Sequence, residues 1–266
     1  MKQRTITAVV AALIFIPIVM LGGWPFKIFV YLIASIALLE LVRMKKIARY
    51  SVASGLGLVL MWALMFPYEV LDGSVEIGNI ITKSEITLLA VLILLSYTVL
   101  VKNRFTFDDA GFLLLSAIYI GMGFNYLMET RSSGLEYIFF ALFIVWATDT
   151  GAYLFGRSLG KHKLWPQISP KKTIEGSVGG IVLACIVAVL FQYFYPLDHS
   201  LIVVLLVTIL VSIAGQIGDL VESAFKRHYA VKDSGKILPG HGGVLDRFDS
   251  LIFILPILHL INFIAA

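Results

Sequence analysis

The chain has 266 residues, 59% hydrophobic and 14% charged, with a mean hydropathy of +0.92 and a formal net charge of +4. Soluble domains hold about 45–50% apolar and about 25% charged residues. There is too little polar surface here to cover a protein in water, so the composition is that of an integral membrane protein. A single cysteine, Cys185, excludes an intramolecular disulfide and a multi-cysteine metal cage.

A membrane span needs about 20 mostly apolar residues. Nine segments answer to that in chain order: residues 5–23, 26–42, 52–71, 86–101, 107–128, 136–156, 174–196, 200–220 and 248–265. The fold class expected is therefore all-α, a polytopic membrane protein of about nine transmembrane helices. The first segment resembles a signal peptide, but its apolar run is longer than a signal core. No small-x-small cleavage site follows before Trp24, so it reads as an uncleaved span. The stretch GGWPFK, residues 22–27, marks a tight interfacial turn between the first two spans. Span seven carries Gly176, Gly180, Ala184 and Ala188 at four-residue spacing, a stripe that lets a neighbouring helix approach closely.

The basic residues test the count. With alternating connections, one side receives 18 of the 21, and the other only Lys27, Lys83 and Arg131. Merging the first two spans would scramble this split. The basic side is read as cytoplasmic, with the N-terminus inside and the C-terminus outside. Two cytoplasmic loops are long and polar, 157–173 and 221–247. They set a catalytic region, 131–266, apart from an N-terminal transmembrane region, 1–130.

Two constellations carry chemistry. In the first, Asp149 lies inside span six, where a lone Asp costs about 2.5–3.5 kcal/mol on insertion scales. Such a residue is usually paired or faces a polar cavity; either a functional site or a buried hydrogen bond would satisfy it. The basic loop after it ends in Ser169, Pro170, Lys171, Lys172, Thr173 and Glu175. It reads equally as a topology-setting charge cluster near anionic headgroups or as a phosphate clamp. In the second reading Ser169-Pro170 starts a helix whose N–H groups favour anions.

In the second constellation Asp219 ends span eight, and Glu222 and Ser223 follow at i+3 and i+4 on one helical face. Lys226 and Arg227 extend that helix by another turn. The chain then passes through Pro239, Gly240, His241, Gly242 and Gly243, where glycine permits close backbone approach to a ligand. Asp246, Arg247 and Asp249 precede the last apolar run. Carboxylates at two helix ends beside many cations suit Mg²⁺ with phosphates. The bland alternative is a solvated loop whose aspartates cap helices. His241 has no second histidine at metal-pair spacing, which favours a turn or hydrogen-bond role.

The run Ser223-x-x-Lys226-Arg227-x4-Lys232-Asp233-x-Gly235-x-x-Leu238-Pro239-Gly240-His241-Gly242-Gly243-Val244-x-Asp246-Arg247-Phe248-Asp249 resembles the signature of the phosphatidate cytidylyltransferases, or CDP-diacylglycerol synthases. Asp149-Thr-Gly-Ala-Tyr and Ser169-Pro-Lys-Lys-Thr-x-Glu175-Gly resemble that family's other shared segments. The likeness covers about 143–250; the first half matches in length and hydropathy alone.

The resemblance implies that CTP and phosphatidic acid react to CDP-diacylglycerol and pyrophosphate with Mg²⁺, and a second cation is allowed. It also implies a bacterial inner-membrane location and frequent dimers; no nucleic-acid partner is expected. The site residues assigned on this basis are Asp219, Asp246, Lys226 and Arg247 for catalysis. Asp219, Asp246, Asp249 and Asp149 are the metal candidates. Ser169, Lys171, Lys172, Ser223, Arg227, Gly240, His241, Gly242 and Gly243 are assigned to substrate. Two rivals remain at this level. A CTP-dependent lipid kinase of the dolichol-kinase type would transfer the γ-phosphoryl group, and a transporter would use Asp149 and Glu40 within spans.

Overall fold

A computed structural model describes residues 2–47, 51–66 and 82–264. Among them nine helices follow one another: α1 Lys2–Leu21, α2 Gly23–Met44, α3 Val52–Met65, α4 Lys83–Leu100, α5 Phe107–Ser133, α6 Leu135–Leu159, α7 Ile174–Phe194, α8 Leu201–His228 and α9 Leu245–Leu260. Each falls on one of the nine apolar segments. Six of them, α2 and α4 to α8, are long and apolar enough to cross a membrane. The end of the expected third span, 67–71, lies outside the described residues, as does Arg49 of the basic count.

The all-α expectation holds for the fold class, with one short local element added. Between α6 and α7 lies a two-stranded antiparallel ribbon, β1 Lys163–Trp165 and β2 Ser169–Thr173, pairing Lys163 with Thr173 and Trp165 with Ser169. Ser169-Pro170 therefore does not start a helix. The fixed φ of proline also suits a strand that needs no donor at that position. Thr173 supplies the cap instead. Its hydroxyl accepts the Gly176 N–H at 3.1 Å, and α7 begins at the next residue. As the helical spacing of Asp219, Glu222, Ser223, Lys226 and Arg227 implies, α8 continues to His228, eight residues past the end of the apolar span. The loop 221–247 thus opens with two further helical turns that carry Glu222, Ser223, Lys226 and Arg227.

The chain divides into two compact units, Met1–Phe26 with Tyr126–Ala266, and Lys27–Asn125. In the second, Val42, Ala53, Leu94, Phe105, Ala110 and Leu113 form a buried cluster, and Glu40 is buried in α2.

In the first unit, the turn expected at GGWPFK is present. Gly22 and Gly23 take left-handed backbone, φ 63° and 57°. Arg131 donates to the carbonyls of Val19 at 2.6 Å and Met20 at 3.0 Å, satisfying the last turn of α1.

Helices α6 and α7 pack backbone to backbone along the small-residue stripe. A Cβ on Gly151 would lie 2.7 Å from the Gly179 carbonyl oxygen, and one on Gly180 2.7 Å from that of Thr148. Gly176, Gly180, Ala184 and Ala188 are all buried. Polar contacts then tie the helices together: Thr148 to Ser212 at 2.9 Å, Gln216 to the Ser177 carbonyl at 3.3 Å, and Ser250 to the Gly215 carbonyl at 3.0 Å. In membrane proteins such bonds average about 0.6 kcal/mol each, so close packing carries most of the association.

Candidate active site

Four elements of the first unit bring the polar residues together: α6, the ribbon, α8 and the start of α9. Gly218 sets the approach of α8 to α9. A side chain there would meet Phe253 Cβ at 2.8 Å and the Asp249 carbonyl oxygen at 2.9 Å. The next residue, Asp219, is thereby held beside Asp249. Asp149 of α6 completes the group, because it interacts electrostatically with Asp219, Lys172 and Arg247, and Asp249 interacts with both Asp219 and Asp149.

Three carboxylates within Coulombic reach repel one another, and the chain answers with cations. Lys172 Nζ stands 2.5 Å from Asp219 Oδ2. The other Asp219 oxygen accepts a weak hydrogen bond, 3.4 Å, from Ser223 one turn on. Successive strand residues point to opposite faces. Lys172 therefore reaches Asp219 while its neighbour Lys171 is exposed. Arg227 is exposed but anchored, its Nε donating to the Ile168 carbonyl at 3.1 Å and fastening the ribbon's turn to α8. Arg247 is exposed near Asp149.

Asp246 lies apart from this group in its bonding. Its side chain is 5% exposed. Oδ2 accepts from Ser234 N–H at 2.8 Å, Ser234 Oγ at 2.7 Å and Gly243 N–H at 2.8 Å, while Oδ1 takes Lys226 Nζ at 2.8 Å. Lys226 is paired in turn with buried Glu222. Burial alone would raise the Asp246 carboxyl. Hydrogen bonds shared with Glu222, Lys226, Gly243 and Ser234 outweigh it and hold the group well below the usual carboxylate range.

The glycine turn is built around this carboxylate. Gly240 and Gly242 have φ of 78° and 84°, a region costly for side-chain-bearing residues. The Leu238 N–H donates to the Gly242 carbonyl at 3.0 Å, closing the turn on itself. A Cβ on Gly242 would collide with Asp246 Oδ2. The His241 N–H donates to the Leu238 carbonyl at 2.9 Å, and its Nδ1 is buried without a hydrogen-bond partner among the described residues.

The structure thus brings Asp149, Asp219, Asp249, Lys172, Ser223 and Arg247 into one neighbourhood. It commits Asp246 and Lys226 to the loop, and leaves Lys171 and Arg227 exposed at the ribbon. Ser169 is partly buried in β2. Ser234 was not singled out in the sequence. No periodicity links it to Asp246, and only its place beside Asp233 in the glycine-bearing loop hinted at a role. Glu175, at the start of α7, takes the backbone N–H groups of Lys161 at 3.1 Å and His162 at 3.2 Å, so it fixes the entry to the ribbon.

Among the described residues no three His, Cys, Asp or Glu side chains are grouped closely enough to hold an ion as they stand. The donor chemistry nevertheless fits Mg²⁺. The cluster is all carboxylate oxygen, and the ammonium of Lys172 stands where positive charge is wanted.

The sequence profile of the cytidylyltransferase family matches residues 2–265. The chain is 54% identical over 262 residues to the phosphatidate cytidylyltransferase of Bacillus subtilis, covering 97% of this chain and 96% of that one. It is 53% identical over 261 residues to the phosphatidate cytidylyltransferase of Staphylococcus haemolyticus, covering 98% of each. The same holds at 51% over 263 residues for that of Staphylococcus aureus, again 98% of each.

Proposed function

The chain belongs to the cytidylyltransferase family, and from that premise we propose how its residues divide the work. It is a multi-pass membrane enzyme that transfers the cytidylyl group of CTP to phosphatidic acid, giving CDP-diacylglycerol and pyrophosphate. A phosphate oxygen of the lipid attacks the α-phosphorus of CTP, and the bond from that phosphorus to the β-phosphate oxygen breaks. A phosphomonoester has its second pKa near about 6, so the nucleophile is largely ionised at neutral pH and needs no strong base. The site has to bring two anions together and hold charge on the leaving pyrophosphate, which is a task of positioning and electrostatics.

The observation that carries the assignment is the meeting of Asp219 with Lys172, beside Asp149 and Asp249. Asp219, Asp249 and Asp149 would hold Mg²⁺, and an additional cation could share that set. Bound there, Mg²⁺ supplies Lewis-acid stabilisation of phosphate charge. Lys172 and Arg247, facing the carboxylates, bind the phosphates of CTP; Lys171 and Arg227, exposed at the ribbon, and Ser169 and Ser223 contribute to substrate. Asp246 and Lys226, whose polar atoms are taken up in the loop, act by shaping the Gly240–Gly243 turn against the nucleotide, with His241 Nδ1 as its buried polar atom. The catalytic residues all fall within 131–266.

The basic-residue asymmetry supports nine spans with the N-terminus inside and the C-terminus outside. In that orientation, and with the bacterial inner membrane that the family resemblance implies, the site would lie on the cytoplasmic face, where cytosolic CTP meets an interfacial headgroup. The family resemblance also supports a homodimer. The test is purified protein with Mg²⁺, phosphatidic acid and CTP labelled at the α-phosphate. Label in the lipid together with pyrophosphate release is the expected result, and label remaining in the soluble nucleotide overturns the reading.

A further inference from the structure

The unit Lys27–Asn125 has a cavity of its own, about 770 Å³, between the end of α2, the start of α3, and the α4–α5 connection. Its polar lining comes from two separate connections: Lys45 and Lys46 follow α2, and Lys102 and Arg104 follow α4. Its apolar lining includes Tyr97 and Phe105, whose rings stand 5.6 Å apart. None of this is used by the reaction described above.

The charges are unbalanced. Among the described residues Asp109 is the one carboxylate in the lining. It is held by Thr106, accepting from the backbone N–H at 3.1 Å and from the hydroxyl at 2.9 Å, and it takes Lys45 at 3.5 Å. Lys46, Lys102 and Arg104 are exposed and form no ion pair among the described residues. Both helix ends close with a lysine in left-handed backbone, Lys46 at φ 65° and Lys102 at φ 54°. The Ile47 N–H reaches back to the Val42 carbonyl, and that of Asn103 to Thr98. Glycine is the usual residue at such closures. At each end the strained position is occupied by a cation that lines the same cavity.

We propose that this cavity is a binding site for the phosphate of an anionic membrane phospholipid, with Lys46, Lys102 and Arg104 around the phosphate and the start of an acyl chain against Tyr97 and Phe105. Basic pockets between membrane helices bind anionic headgroups in this manner. The volume exceeds what a phosphate alone fills, and the aromatic lining gives a hydrocarbon chain a surface that inorganic phosphate would leave uncovered. The site belongs to the unit without the catalytic carboxylates, so its test is independent of the reaction.

The test uses the full chain in phosphatidylcholine nanodiscs doped with phosphatidylglycerol that carries a diazirine in one acyl chain. After irradiation, the cross-linked peptides are mapped by mass spectrometry. Labelling is expected between Tyr97 and Phe105. It should fall by about fivefold or more in a Lys46→Glu/Lys102→Glu/Arg104→Glu variant, as headgroup attraction is lost. Excess glycerol 1-phosphate should leave the wild-type labelling in place. Undiminished labelling in the triple variant overturns the proposal. Loss of labelling with glycerol 1-phosphate also overturns it, by assigning the site to soluble phosphates. If the triple variant does not elute as folded protein, the single Lys102→Gln variant gives the same readout, with a smaller expected drop.

Discussion

Lys172 of the ribbon and Asp219 of α8 meet with an ammonium nitrogen 2.5 Å from a carboxylate oxygen, although 47 positions separate them in the chain. The contact joins the ribbon to the end of α8 and sets a positive charge beside the carboxylate proposed to hold a cation. Replacing Lys172 by Ala should lower kcat by about 10²-fold, the scale of losing one charge-stabilising group. Asp219→Asn should lower it by about 10²- to 10³-fold. Both variants should elute and melt like the wild type, since neither residue is in the packed core. Near-normal pyrophosphate release by Asp219→Asn would remove it from the cation set.

Gly218 should behave as a positioning residue. An alanine there must displace Phe253 or the backbone at Asp249, and it shifts Asp219 relative to Asp249. Overpacking of this kind costs about 1–3 kcal/mol. The expected result for Gly218→Ala is a lower Tm together with a raised Mg²⁺ requirement. A variant that melts earlier with an unchanged Mg²⁺ titration would reduce Gly218 to a packing role.

Asp246 gives a prediction in pH. Its carboxyl is held below the usual range in the folded chain, so its ionisation stabilises the fold above the unfolded pKa, near about 4. That contribution is lost as pH falls below this point towards the folded value. Thermal melts of the wild type should therefore lose stability in that acid window. Asp246→Asn should be less stable at neutral pH and show a shallower acid dependence. Equal acid slopes in the two proteins would contradict the assignment.

Gly242 tests the loop more directly. Any side chain there combines a left-handed backbone with a collision against Asp246. Gly242→Ala should cost about 1–3 kcal/mol locally and raise KM for CTP more than it lowers kcat. The split between KM and kcat is read from steady-state kinetics with CTP varied.

The orientation can be checked through the lone cysteine. In a Cys185→Ala background, a cysteine at Lys161 should react with an impermeant maleimide only when the cytoplasmic face is open. A cysteine at Ser132 should react from the outside. Reversed labelling would invert the topology.

Much of the fold was legible because the bilayer constrains it strongly. Each apolar segment had to become a helix, since backbone groups in hydrocarbon can be satisfied in few other ways. Each of the nine segments did so within the described residues. The α6–α7 seam was legible for a similar reason, because Gly176, Gly180, Ala184 and Ala188 repeat at the helical period. The ribbon was not. Three-residue and five-residue strands carry too little periodicity to outweigh a serine-proline pair that equally suits a helix start. The run of α8 beyond its apolar stretch was legible too, because Asp219, Glu222, Ser223, Lys226 and Arg227 keep helical spacing past the end of the span.

By itself the sequence determined that the chain lies in a membrane, where its helices fall, and which residue types its polar loops carry. Those follow from composition and local period, which act over a few residues at a time. Only the tertiary structure decided what surrounds each aspartate. Asp246 and Asp249 look alike in the sequence, three positions apart. One is enclosed by Ser234, Gly243 and Lys226, and the other stands with Asp219 and Asp149. Hydrogen bonding and Coulomb interactions depend on distance in space, and residues far apart along the chain set those distances.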